Sequence, residues 1–191
     1  MLTIFKIFKF IFYLVLIISI ATLHLSVSGF LPAPLNSINT LLLITIFLLS
    51  TNPKTKTLLF ALTIAFVVEL YSSTYFGILL SAFLASSMVV HWVLLNIFTN
   101  RSIYMIWLTG VMGVIIYRAW FLLIWIFINI ITKTDFTVGV EFLQNLFWEA
   151  LLTSTLLVLI YTLTITFGKK LRPDYIVIKD AGIYGRKKTI I

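Results

Sequence analysis

The chain has no cysteine. That excludes disulfide frameworks, thiolate zinc sites and cysteine nucleophiles, and leaves the redox compartment open. It is also short of charge. Only 10% of its 191 residues are Asp, Glu, Lys or Arg, against roughly 25% in an ordinary soluble domain. With 61% of residues apolar, a soluble fold of this length would lack the polar surface to stay in solution, so lipid is the expected solvent for much of it. Acidic residues are scarcer than basic ones, and the formal charge is +8. The basic residues sit at the ends of apolar segments and in the tail, with no aromatic-interleaved basic patch on a polar module. Membrane lipids with anionic headgroups, not nucleic acid, are the expected partner. Nucleophile–base pairs, H-E-x-x-H, phosphate loops and paired aspartates are all missing. The two histidines, His24 and His91, have no metal spacing and read as packed or interfacial side chains. Neither an enzyme nor a cofactor is expected.

What the sequence does have is long apolar runs. About 20 residues of helix cross a hydrocarbon core about 30 Å thick. The runs predict an all-α integral membrane protein with six transmembrane helices in one bundle, at about 10–27, 35–50, 57–71, 77–98, 103–131 and 144–167. These make a single domain, 1–167, followed by a basic tail, 168–191. The first run follows Lys6 and Lys9 like a signal peptide, but no A-x-A-like site follows it, so an uncleaved helix is expected. Gly29, Pro32 and Pro34 break the chain after it. The second and third runs are short, and a re-entrant pair there would leave the topology of the rest unchanged.

Orientation follows from lysine and arginine in the short loops. Lys6, Lys9, Lys54, Lys56, Arg101 and seven tail residues fall on one side of the six-helix arrangement, twelve of the fourteen basic residues. Both termini are therefore expected in the cytoplasm. Within the tail, Lys169, Lys170, Arg172, Arg186, Lys187 and Lys188 read as positive-inside anchors touching anionic lipid, or as partner contacts. Tyr175 to Ile178 is a possible docking strand.

Charges at membrane depth are costly and face the bundle interior or a partner. Measured from the inner ends of their helices, Glu69, Arg118 and Glu149 lie roughly 18, 22 and 27 Å up, all in the outer half. Arg118 and Glu149 fall at similar depth on consecutive antiparallel helices, where an ion pair is geometrically open to them. The three residues are either structural or a site for a partner or ligand. Tyr71, Tyr75 and Trp148, with Tyr104 and Trp107 toward the other side, fit interfacial aromatic belts. Ser81 with Ala85, Ala82 with Ser86, and Gly110 with Gly113 put small residues on helix faces, where backbones can approach closely.

One stretch carries a family resemblance. Leu31-Pro32-Ala33-Pro34-Leu35 leads into a Leu-rich run, Asn39 to Leu49, and then the basic turn Pro53-Lys54. After it come Glu69-Leu70-Tyr71-Ser72-Ser73-Thr74-Tyr75-Phe76-Gly77 and Thr99-Asn100-Arg101-Ser102. This text, about residues 31–102, resembles the rod shape-determining protein MreD family, most of all in Glu69, Ser72, Phe76 and Gly77. It departs in having Glu69 where Asp is usual and Ala65 where a glycine is expected. The resemblance implies a fold related to the substrate-binding subunits of energy-coupling-factor transporters. It also implies a nonenzymatic role in the bacterial plasma (inner) membrane, in the cell-elongation machinery that directs peptidoglycan synthesis. The implied partners are MreC-like and MreB-like proteins and peptidoglycan synthases. The fold relation supplies the alternative of a small-molecule uptake subunit, against which stands a first helix with Ala21 as its only alanine.

Overall fold

The computed structural model describes residues 2–72, 74–97, 102–132 and 139–167. Six α-helices make up the described chain: α1 (Leu2–Phe30), α2 (Thr40–Thr51), α3 (Thr55–Leu70), α4 (Ile78–Asn96), α5 (Ile103–Thr132) and α6 (Val140–Phe167). No strand occurs among the described residues. Three of the helices, α4, α5 and α6, are long and apolar enough to cross a membrane, and α1 carries a shorter apolar stretch, Ile11–Val27. Large apolar side chains cover the outside, among them Leu59, Phe66, Met88, Trp92, Phe127 and Leu159. Contiguous apolar surface on this scale is foreign to soluble monomers. The architecture is consistent with a helical membrane protein.

The second predicted run divides in two. Leu35–Ser37 form a single 3-10 turn, and the α-helix starts only at Thr40. The cause is local: Asn39 takes a non-helical backbone and its side chain accepts the amide hydrogen of Leu42, the N-cap arrangement that asparagine favours. At 12 residues, α2 is about 18 Å long, well short of a hydrocarbon core. Its length matters less than its position. It packs against each of the other five helices. Around it the others are ordered α1, α3, α4, α5, α6, and α1 and α6 do not pack on each other. The gap between those two is bridged by α2 and by the 3-10 turn, which packs on both. Leu42, Ile46 and Leu49 are all but fully buried at the centre. His24 Nδ1 lies 2.7 Å from Thr40 Oγ1 and ties α1 to the start of α2.

Small residues set the closest approaches, as the sequence pattern suggests. Ala82 and Ser86 are buried, and Ser86 Oγ donates to the Gly113 carbonyl at 2.7 Å, joining α4 to α5. A Cβ at Gly110 would stand 3.1 Å from the Ser154 Cα on α6, and one at Gly113 would stand 2.8 Å from Ile46 Cδ1 on α2. The long helices outrun this core. The buried residues of α5 lie between Ile106 and Tyr117, and those of α6 between Glu149 and Tyr161. Phe121 packs at the edge of this core and stacks on Trp125, and Trp125 meets Tyr75 of the α3–α4 connection.

Gly110→Val should push α5 off α6, because the obstruction is backbone. The expected loss is about 1–3 kcal/mol, visible as lower folded yield and lower melting temperature in detergent. Gly29→Ala, which meets nothing within 4 Å, should leave both unchanged.

Candidate functional site

Two polar constellations lie inside this apolar bundle, and each is built around one carboxylate. The first joins three helices. Glu149 is 1% exposed on α6. Its Oε1 accepts from Asn39 Nδ2 at 2.9 Å, and its Oε2 accepts from Arg118 Nε of α5. Asn39 is fixed on its other sides as well. Its backbone N–H donates to Thr153 Oγ1 at 3.0 Å, and its side-chain oxygen caps α2. Both carboxylate oxygens thus have donors and the charge has a counter-ion, as a buried ion requires. The Arg118 side chain remains 30% exposed while that of Glu149 is 2% exposed, so the pair reaches from the core to the bundle's flank.

The second constellation holds Glu69, near the C-terminal end of α3 and 3% exposed. The structure does not bring it to Arg118. Its Oε1 accepts from the Gly77 amide and its Oε2 from the Leu80 amide, both at 2.7 Å. Glu69 therefore caps α4 from the preceding helix. A negative charge at a helix N-terminus is stabilised both by hydrogen bonds to amides that lack an intrahelical partner and by the helix dipole. The turn between depends on Gly77, whose φ of +95° suits glycine. Ser72 steadies the same turn: its hydroxyl is paired with Thr74 Oγ1 at 2.7 Å and accepts the Thr74 amide. Phe76 is largely exposed and meets Phe66 edge-on.

Among the aromatic residues, Tyr71, Tyr75, Tyr104 and Trp107 are exposed, as interfacial side chains would be, and Trp148 is half-buried. His91 lies within α4, and its Nδ1 is buried without a hydrogen-bond partner among the described residues. The tail cations Lys169, Lys170, Arg172, Arg186, Lys187 and Lys188 lie outside the described residues, as do Ser73, Arg101 and the possible strand Tyr175 to Ile178.

Compared with protein-family models, curated proteins and solved structures, the chain matches none. Both buried carboxylates are occupied by fixed donors, one by two backbone amides and the other by an amide side chain and a guanidinium. Among the described residues no three His, Asp or Glu gather where they would hold a metal ion. The arrangement positions helices. Glu149 gathers α5, α6 and the start of α2, and Glu69 locks α3 to α4. The residues that sequence reasoning passed over are Asn39 and Thr153. Asn39 had a visible mark, an asparagine directly before a Leu-rich run. Thr153 had none, since it is one of several threonines on an apolar helix.

Arg118→Leu alone leaves the buried Glu149 charge uncompensated and should cost about 3–5 kcal/mol, and Glu149→Leu, which leaves the partly exposed Arg118 behind, should cost less. The double substitution should cost clearly less than the sum, and a charge swap should recover part of the loss. Folded yield in the membrane and thermal unfolding in detergent measure the cycle. Simple additivity would show that the two side chains do not interact.

Proposed function

We propose that the chain is a nonenzymatic, MreD-like membrane component of the bacterial machinery for cell elongation. In this reading it is a scaffold of six helices in the plasma membrane, with both termini and the Lys54–Lys56 turn on the cytoplasmic side and a fold like that of energy-coupling-factor substrate-binding subunits. The observation that carries it is the coupling inside the segment that bears the resemblance. Glu69 and Gly77 are two of its marks, eight residues apart, and they act on one bond: the acid accepts the amide of the glycine that opens α4. Ser72, another mark, orders the turn between them. The segment is thus one capping device, and a chain of this type would retain its residues together.

The two carboxylates favour a scaffold because the oxygens of each are taken up by fixed donors. The partners of the reading are MreC-like and MreB-like proteins and peptidoglycan synthases. The alternative of a small-molecule uptake subunit is weakened by α1. Its single alanine, Ala21, is buried in the bundle, whereas a contact face for a transmembrane partner would lie on the outside.

Depletion of the protein in a rod-shaped host should give rounded, swollen cells with nutrient uptake intact. Re-expression should restore rods, and a Glu69→Ala chain that no longer holds α4 should restore them poorly. Rods that persist through complete depletion while uptake of one solute disappears would favour the transport subunit instead.

A further inference from the structure

The α2–α3 turn does not reach as far as its neighbour. α2 and α3 have 12 and 16 residues, α4 has 19, and the short pair leaves a recess beside the end of α4. Asn52, Pro53, Lys54 and Thr57 line it from the turn, and His91 and Leu95 line it from α4, around a cleft of about 620 Å³. Its chemistry is that of an anion site. Lys54 and Lys56 border it with no ion-pair partner among the described residues. The amides of Thr55 and Lys56, at the start of α3, have no acceptor among the described residues, and Lys54 at the N-cap supplies no side-chain cap. The buried His91 Nδ1 adds a further unpaired polar atom. An anion in the recess would meet ammonium groups, free amides and the favourable end of a helix dipole together.

The cleft does not end in polar surface. Leu59, one turn of α3 beyond Thr55 and Lys56 and on the same face of the helix, begins an apolar groove of about 340 Å³ that continues over Leu62, Phe66, Leu80 and Leu84. On the α1 side, a cleft of about 520 Å³ lined by Tyr13, Leu16, Leu48 and Phe60 shares Asn52, Lys56 and Thr57 with the polar recess. A basic point thus sits between two apolar grooves. We propose that this site binds an anionic phospholipid, its phosphate in the recess against Lys54, Lys56 and His91 and its acyl chains along the grooves on either side of α3. The recess draws the headgroup inward to meet helices shorter than the bilayer, which is one way a membrane accommodates mismatch. The site requires that the bundle lie in a membrane and is independent of any role in wall elongation.

Full-length protein in detergent, titrated with dioleoyl phosphatidylglycerol or dioleoyl phosphatidylcholine and examined by native mass spectrometry, tests it. One phosphatidylglycerol should be retained in preference to phosphatidylcholine. The double change Lys54→Gln/Lys56→Gln should lower its retention by roughly tenfold or more, and Leu84→Trp, which fills a groove without removing charge, should lower it as well. Lys187→Gln/Lys188→Gln removes equal charge from the tail and should leave it unchanged. Should the lysine variant fail to fold, His91→Leu carries the test. It removes an unpaired buried nitrogen, so the fold should tolerate it, and it should lower retention of phosphatidylglycerol alone. Equal loss from the tail variant would reduce the effect to diffuse charge attraction and overturn the site. Full displacement by millimolar inorganic phosphate would make it a free-anion site, and unchanged retention in both the lysine and His91 variants would leave the recess empty of lipid.

Discussion

The Glu149 carboxylate is the constraint on which the rest of the bundle depends. In lipid no hydrophobic force gathers helices, because hydrocarbon solvates a leucine as well as a neighbouring helix does. Association then needs close packing and a few polar contacts that cannot be satisfied elsewhere. Glu149 supplies such contacts in two directions at once, to Arg118 on α5 and to Asn39 at the head of α2. Asn39 in turn starts the helix and ties its backbone to Thr153. A short helix with little intrinsic reason to stand upright in the centre of a bundle is held there at its N-cap.

The second carboxylate repeats the logic on the other side. Glu69 accepts two amides of α4, so α3 and α4 form a hairpin whose geometry is set by charge and helix dipole together. Glycines and serines then let α4, α5 and α6 close on α2: Ser86 bonds to Gly113, and Gly110 faces Ser154. Because both buried carboxylates are matched to fixed partners, the bundle is suited to hold one shape.

Much of this was legible in the residues. The scarcity of charge and the lengths of the apolar runs indicate helices in lipid, and counting residues from the helix ends puts Arg118 and Glu149 at one depth. Three things were not legible, each for a physical reason. The central position of α2 is invisible because a helix facing lipid and a helix facing its neighbours are both apolar, so periodicity does not separate them. The role of Glu69 is hidden because its partners are backbone amides, which every residue possesses. The start of α2 at Thr40, past Leu35–Ser37, depends on a cap whose acceptor is written in Asn39 but whose second contact, Glu149, lies 110 positions away.

If Asn39 and Glu149 together hold α2 at the centre, that helix should be protected from exchange only while their contact is intact. Hydrogen–deuterium exchange of the protein in lipid nanodiscs, read over the amides of Leu42 to Leu49 in the wild type and in Asn39→Ala, measures this directly. The account predicts that exchange across α2 accelerates by about tenfold, from the lost cap and the freed carboxylate oxygen, while the amides of α4 stay protected. Equal protection of α2 in both proteins would contradict it.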